Sequence, residues 1–132
     1  MNQIDKLAWL EIQGNRILLA KSYGKDKYYI PGGKRELGET DEQALLREIQ
    51  EELTVRIDPR TLQFIGVFEA QAHGQPAGVL VKMTCYTGAY VGELQASAEI
   101  EVLKWFAYAE RDQVVSVDKL IFDHLNQHSL LT

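Results

Sequence analysis

The segment from Gly32 to Val55 restricts the fold of this chain more than any other part of the sequence; it reads GGKRELGETDEQALLREIQEELTV. Two glycines predict a turn, and Thr40 followed by Gln43 fits a capping box, so a helix is expected from Thr40 to about Leu53. At 100° per residue, one group of apolar side chains falls within a single arc that has to face the core. These residues are Leu45, Leu46, Ile49 and Leu53.

Three glutamates lie beside this apolar arc. Glu48, Glu51 and Glu52 stand in i, i+3, i+4 relation, so their carboxylates are expected to converge on one patch. A charge run is usually a solvated face, but Glu52 lies at the edge of the apolar arc, where desolvation is costly. Because neighbouring carboxylates repel one another, a hard divalent cation such as Mg²⁺ would stabilise them. Helix geometry alone leaves the solvated face and the metal site both open.

The same segment resembles the signature of the Nudix hydrolases, a Gly and a Glu followed by Arg-Glu-apolar-x-Glu-Glu-x-Gly-apolar. The positions that match in register are Gly33, Glu39, Arg47, Glu48, Ile49, Glu51, Glu52 and Val55. The sequence departs from the signature at Thr54, where the family has Gly. A glycine there would end the helix in a left-handed conformation, which costs a β-branched residue more. Since Thr54 is not a metal ligand, the departure bears on the turn and not on the metal chemistry.

The resemblance implies an α+β fold, the Nudix α/β/α sandwich with a mixed β-sheet, as a single domain over residues 1–132. The implied reaction is hydrolysis of a nucleoside diphosphate linked to another moiety, with Mg²⁺, or alternatively Mn²⁺, as the cofactor. Glu48, Glu51 and Glu52 would hold the metal, and Arg47 would orient one of these carboxylates. The residues expected to approach the substrate's diphosphate are Gly32, Gly33 and Lys34.

Three other glutamates have more open roles. Glu39 precedes the helix and is either a capping charge or, by resemblance, a structural or outer metal-site carboxylate. Glu99 and Glu101 begin a strand, and both could simply face solvent there. Members resembling the MutT branch often supply a further Glu shortly before an aromatic-bearing strand, and Glu99 matches that placement. We expect Glu48 to be the general base, with Glu99 as the second candidate.

Composition excludes several classes of protein. A formal charge of -5 over 132 residues disfavours a protein that binds nucleic acid through a broad basic surface. The lone Cys85 allows no internal disulfide and fits a reducing compartment. The N-terminal residues mix charged and apolar side chains, so neither a signal peptide nor a membrane span is indicated. We therefore expect a cytoplasmic protein with a small-molecule nucleotide as its partner, no nucleic-acid or membrane partner, and a homodimer as an open question.

The remaining segments predict strands and a terminal helix. A hairpin is expected from Leu7–Ile12 and Arg16–Lys21, with Trp9 in the core. The other expected elements are short strand Tyr28–Ile30, strands Leu62–Gln71, Val79–Cys85 and Glu99–Phe106, a short helix over Ala109–Val115, and a last helix capped by Ser116. In strand Leu62–Gln71, alternation puts Leu62, Phe64, Gly66 and Phe68 on one side. In the last helix, helical spacing turns Leu120, Ile121 and Leu125 inward.

The sequence constrains the substrate less than the reaction. Some Nudix branches carry a downstream Pro for ADP-ribose or Tyr for dinucleoside polyphosphates, but residues 69–72 are Glu-Ala-Gln-Ala. The segment is closest to small MutT-like enzymes that act on nucleoside triphosphates, which makes a triphosphate or related nucleotide the first expectation. A nucleotide-sugar pyrophosphatase and a non-catalytic nucleotide-sensing module are the alternatives. The aromatic residues that could stack on a base, although each is more typical of a core, are Tyr23, Tyr29, Phe68 and Trp105.

Overall fold

Strand β1 (Gln3–Trp9) divides the fold, because its alternating side chains enter two separate hydrophobic cores. The structure is a computed structural model and describes residues 3–132. Leu7 and Trp9 enter the core that contains the first helix, whereas Ile4 and Ala8 belong to the core beneath the last helix. A strand with both faces covered is central to a layered structure.

The secondary-structure elements follow one another as the sequence order of predicted segments requires. They are β1 (Gln3–Trp9), β2 (Ile12–Gln13), β3 (Arg16–Ser22), β4 (Gly32–Gly33), α1 (Asp41–Leu53), β5 (Arg56–Ile57), β6 (Gln63–Gln71), β7 (Leu80–Thr87), β8 (Tyr90–Val91), β9 (Ile100–Phe106) and α2 (Ser116–Gln127), with 3₁₀ turns at Pro59–Thr61 and Tyr108–Gln113. No helix among residues 3–132 is long and apolar enough to cross a membrane.

The strands form one mixed sheet and two antiparallel ones. The four-stranded sheet has the order β4-β1-β7-β6, in which β1 and β7 are parallel and the other pairs antiparallel. Strands β2-β3-β9 form a second sheet, and β5 pairs with β8. Helix α1 contributes Leu45 and Ile49 to one core, and α2 contributes Ile121 and Phe122 to the other. The predicted α+β fold with a mixed sheet is therefore confirmed.

The N-terminal hairpin is smaller than predicted. Only Ile12 and Gln13 pair with Ile17 and Arg16, while residues 3–9 pair in parallel with β7. The apolar run was long enough for one strand, but the chain leaves the first sheet after Trp9 and enters the second at Ile12. Trp9 is fully buried as expected, and its indole Nε1 donates to Gly88 O at 3.1 Å.

Two further strand predictions need correction. Tyr28–Ile30 is not a strand, because Tyr29 makes a single bridge to Ala20. In β6 the register shifts between Phe64 and Gly66, so the simple alternation fails. Phe64 is exposed, whereas Phe68 packs against the core together with Ile65, which had been predicted for the opposite side. A β-bulge inserts one residue and reverses the inward face beyond it.

The C-terminal predictions are also partly wrong. Residues Tyr108–Gln113 form a 3₁₀ turn rather than the expected helix over 109–115. Ser116 is the first residue of α2, and Val115 precedes it without a side-chain cap. Ile121 and Leu125 are buried as predicted, but Leu120 is exposed, because it lies at the edge of the apolar stripe.

Candidate active site

Helix α1 begins and ends as its sequence requires, and this fixes the direction of its glutamates. Thr40 Oγ1 accepts the Gln43 amide at 3.2 Å, and Gln43 Oε1 accepts the Thr40 amide at 3.0 Å, which completes the predicted capping box. Thr54 ends the helix in the left-handed region, at φ 62°. A threonine therefore adopts the conformation that the Nudix signature assigns to glycine.

Beside α1 lies a cavity of about 450 Å³ with carboxylates on one wall. Glu48, Glu52 and Glu99 line this cavity, so the helix and the segment before β9 bring their acids together. Glu51 does not line it; its side chain is 54% exposed and lies 3.5 Å from Arg47 Nη1. The predicted convergence of the three helix glutamates is therefore realised for two of them, and Glu99 joins these two.

Basic and backbone groups face the carboxylates. Lys34 lines the cavity together with Gly32 and Gly33, which agrees with the placement expected for substrate-binding residues. Lys6 and Lys25 also line it, and sequence reasoning had not selected either of them. The cavity thus has an acidic side and a basic side, an arrangement suited to a ligand that carries both phosphates and a bound cation.

Glu52 is the most buried carboxylate of α1, at 6% exposure. Its Oε1 accepts the backbone N–H of Gly32 at 3.3 Å, which ties the helix to strand β4. Burial, reinforced by the carboxylate of Glu99, raises the pKa of Glu52 to about 8. The apolar surroundings therefore disfavour its ionised form, and a nearby positive charge would restore it.

Glycine is required at both positions of β4 because two different groups approach it closely. A Cβ at Gly33 would lie 2.3 Å from Glu48 Oε2, so this carboxylate packs directly on the glycine. A Cβ at Gly32 would lie 1.9 Å from Leu7 O, and Gly32 also has a φ of 150°. Burial raises the pKa of Glu48, although Arg47 opposes this effect.

Arg47 connects the loop before the helix to the acidic wall. Its Nε and Nη2 donate to Glu39 at 2.7 and 2.8 Å, its Nη1 donates to Glu48 at 2.9 Å, and Nη2 also donates to Lys34 O at 3.1 Å. These hydrogen bonds hold the pKa of Glu39 at about 2. Glu39 is thus a structural partner of Arg47, and the guanidinium orients Glu48 more closely than Glu51.

The donor set of the acidic wall fits a hard cation. Among residues 3–132, no group of three or more His, Cys, Asp or Glu side chains is arranged as a complete metal cage. Mg²⁺ does not need one, since it commonly binds through one or two carboxylates and keeps waters and substrate phosphates as its other ligands. The carboxylates of Glu48 and Glu52 supply such oxygens at the cavity wall, and the raised pKa of Glu52 shows that positive charge is lacking there.

Asp118 was missed by sequence reasoning. It lies on α2 at 1% exposure and lines the same cavity. Its Oδ2 accepts the Ile30 amide at 3.3 Å, but its Oδ1 has no hydrogen-bond partner within residues 3–132. Burial raises the pKa of Asp118 to about 7, against the opposing effects of the Ile30 amide and Lys6. Its position one helical turn before the buried Ile121 and Phe122 was a signal in the sequence that it faces the core.

Other predicted residues lie in less central positions. Glu101 is exposed and pairs with Lys21, as its solvent-facing prediction required. Tyr29 lines the cavity, whereas Tyr23, Phe68 and Trp105 do not. Of the four aromatic residues proposed to stack on a base, only Tyr29 is therefore placed to do so.

Solved structures with the same fold cover almost the whole chain. The E. coli ORF135 protein superimposes with a TM-score of 0.76 at 23% identity, covering 98% of this chain and 92% of that one. A MutT NUDIX hydrolase from Burkholderia pseudomallei gives a TM-score of 0.74 at 24% identity, covering 92% of this chain and 96% of the other. At these identities the likeness establishes the fold.

Sequence comparison identifies the family. A curated relative, the ADP-ribose pyrophosphatase of Methanocaldococcus jannaschii, is 31% identical over 113 residues, which are 83% of this chain. The match spans 62% of that relative's length. The family model of the NUDIX domain matches residues 5–125. Since that match takes in nearly all of the elements described above, the chain belongs to the Nudix family.

Proposed function

We propose that this protein is a pyrophosphohydrolase that cleaves a nucleoside diphosphate linked to another moiety, with a nucleoside triphosphate or related nucleotide as the first candidate substrate. One observation carries the proposal: Glu48, Glu52 and Glu99 line a cavity whose other side bears Lys34 and the Gly32–Gly33 backbone. A phosphoanhydride needs both features, because its oxygens require positive charge and its hydrolysis requires a base.

The acidic wall is the proposed metal site. Glu48 and Glu52, with Glu51 reaching in from the helix surface, would hold Mg²⁺ or Mn²⁺. The cation, when bound, would neutralise the diphosphate and help to ionise the attacking water. In this arrangement the Gly32 and Gly33 amides and the Lys34 ammonium approach the phosphate oxygens. Arg47 acts through Glu48, whose carboxylate it holds.

Hydrolysis then requires a proton acceptor. The oxygen of a water molecule forms a bond to phosphorus, the bridging P–O bond breaks, and the bridging oxygen leaves with its phosphate group. A carboxylate takes the proton that the water loses. Glu48 is the proposed acceptor because it faces the cavity and is held by Arg47 and Gly33. Glu99 is the alternative, since it lies on the same wall.

A second candidate substrate class is ADP-ribose and related nucleotide sugars. It is favoured by the 31% identity to an ADP-ribose pyrophosphatase. It is disfavoured by Ala70 and its neighbours, which lack the downstream Pro that some ADP-ribose enzymes carry. A non-catalytic sensor is a weaker alternative, because none of the signature's glutamates has been replaced in this chain.

The test is release of monophosphate and pyrophosphate or phosphate from nucleoside triphosphates, nucleotide sugars and dinucleotides. Each reaction is run with Mg²⁺ and with chelator, for the wild type, Glu52→Gln and the matched control Glu42→Gln, which changes an exposed glutamate of the same helix. We expect metal-dependent turnover that falls about a hundredfold or more in Glu52→Gln and persists in Glu42→Gln. Absence of turnover on every compound, with nucleotide binding in chelator, would favour the sensor.

A further inference from the structure

Lys6 occupies a position on β1 where the fold otherwise has apolar side chains. Ile4 and Ala8 flank it on the same face, and both pack in the core beneath α2. Its partner on the neighbouring strand is Met83, which is also part of that core. A lysine is rarely placed in such surroundings unless its ammonium meets a partner, because its desolvation is costly. Burial accordingly lowers the pKa of Lys6.

Asp118 approaches the same region from the opposite layer. It is almost fully buried, and its Oδ1 has no partner in the part of the chain that the structure describes. Lys6 acts on its charge from a distance without forming a hydrogen bond to it. Two opposite charges buried for stability alone would be expected in direct contact, since separation keeps both desolvation costs without the full attraction.

The cavity continues between these two groups. Lys6 and Asp118 both line it, and the walls around them are mostly apolar. Those wall residues are Ile4, Tyr29, Ile30, Val81, Met83 and Val117. Gly32, Gly33 and Lys34 line the same cavity, so one ligand can contact the phosphate-binding backbone and the Lys6–Asp118 pair together.

From this arrangement we infer that Lys6 and Asp118 determine specificity, by receiving between them a planar heterocyclic head group whose edge carries a hydrogen-bond acceptor beside an N–H donor. Lys6 donates to the acceptor, and Asp118 Oδ1 accepts from the N–H. Flat apolar walls favour a heterocycle over a sugar, whose hydroxyls point in all directions and would lose their hydration there. This inference rests on the proposed function for the position of the phosphates, but not for the existence of the pair.

The test is equilibrium binding in chelator, by calorimetry, of the four common nucleoside 5′-monophosphates and of ribose 5-phosphate, which lacks the head group. Asp118→Asn keeps an oxygen for the Ile30 amide and replaces the unpartnered oxygen with an N–H donor. Lys6→Met keeps the apolar stem and removes the ammonium. The matched controls are Asp112→Asn, which changes an exposed aspartate, and Lys82→Met, which changes a lysine of β7 outside the cavity.

We expect the wild type to bind at least one monophosphate about tenfold more tightly than ribose 5-phosphate. Asp118→Asn should weaken that binding about tenfold or more and change the order of preference among the bases, because it turns an acceptor into a donor. Lys6→Met should weaken it as well, while both controls bind as the wild type does. A purely structural role for Asp118 would lower affinity without reordering the bases.

Two results would overturn the inference. One is wild-type binding of ribose 5-phosphate as tight as that of every monophosphate, or no binding of any monophosphate. The other is an unchanged affinity and order of preference in both Asp118→Asn and Lys6→Met. Because binding is measured without metal or turnover, a protein that hydrolyses nothing but reorders its ligands in Asp118→Asn would refute the proposed function and support the specificity pair.

Discussion

Arg47 makes its closest contacts with Glu39, to which it donates from Nε at 2.7 Å and from Nη2 at 2.8 Å. Helical spacing had instead suggested Glu51, four residues along α1, as its partner. That contact exists but is longer, at 3.5 Å. The two-pronged pair with Glu39 leaves Nη1 free to reach Glu48, so the loop before α1 determines how the arginine presents itself to the acidic wall.

Arg47→Lys is expected to lower kcat by about tenfold to a hundredfold, since one ammonium cannot serve Glu39, Glu48 and the Lys34 carbonyl together. Steady-state kinetics on the best substrate, with thermal unfolding to verify the fold, measures this effect. Arg60→Lys changes an exposed arginine that pairs with Asp58 and should leave kcat unaltered. A kcat in Arg47→Lys within about twofold of the wild type would contradict a positioning role.

Gly33→Ala and Gly32→Ala should fail in different ways. At Gly33 the added methyl group meets the end of the flexible Glu48 side chain, so the fold should survive while kcat falls about a hundredfold. At Gly32 it meets the Leu7 backbone, which cannot move aside, and the loss of stability should exceed about 3 kcal/mol.

Urea unfolding and kcat together separate these two effects. Gly38→Ala is the control, because its φ of 84° is strained for alanine but no atom lies within 4 Å of the added carbon. It should lose about 1 kcal/mol of stability and keep its kcat. If Gly33→Ala were unfolded, or if it kept full activity, the contact between Gly33 and Glu48 would not have the importance assigned to it.

The parts of the site that were predictable are those encoded locally. The capping box and the apolar period of α1 lie within one helix, so they specified its limits and the inward direction of Glu48 and Glu52 before any tertiary contact was known. Glu99 was chosen through the family resemblance, and its place on the cavity wall agrees with that choice. Glu51 shows the limit of helical spacing, which brings Cβ atoms together but does not say where a long side chain ends.

The basic and inner parts of the site could not be predicted in this way. Lys6 enters the cavity because β1 pairs in parallel with β7, a long-range register that no local pattern of the N-terminal segment contains. Asp118 meets it only after α2 packs beneath the sheets. The expected hairpin failed for the same reason, since local alternation was correct but the partner of β1 is far away in the sequence.

Thr54→Gly should stabilise the protein by about 0.5 kcal/mol. Glycine relieves the left-handed conformation at φ 62°, worth about 1 kcal/mol, but loses the hydrogen bond from Thr54 Oγ1 to Glu93 O at 2.9 Å. Urea unfolding compares it with Thr54→Ser, which keeps both the hydroxyl and the strain and should resemble the wild type. A Thr54→Gly variant less stable than Thr54→Ser would mean that the hydrogen bond outweighs the backbone strain.

The stability of the ligand-free protein should depend on pH through Asp118. Burial raises the pKa of this carboxyl from 3.8 to about 7, so between these values the folded state binds a proton that the unfolded state has released. The free energy of unfolding contributed by Asp118 therefore falls as pH rises from about 4 to about 7, by up to a few kcal/mol, and the loss is complete above that range. An asparagine side chain does not titrate in this range, so Asp118→Asn should lack this contribution.

Chemical unfolding of the wild type and Asp118→Asn in chelator, at intervals between pH 4 and pH 8, measures the difference directly. Subtraction removes the contributions of other groups that both proteins share, including Glu52, whose pKa is also raised. Relative to the wild type, Asp118→Asn should gain stability steadily as pH increases. Parallel curves for the two proteins would show that Asp118 is solvated or paired in solution, and that its Oδ1 is not held free at the inner end of the cavity.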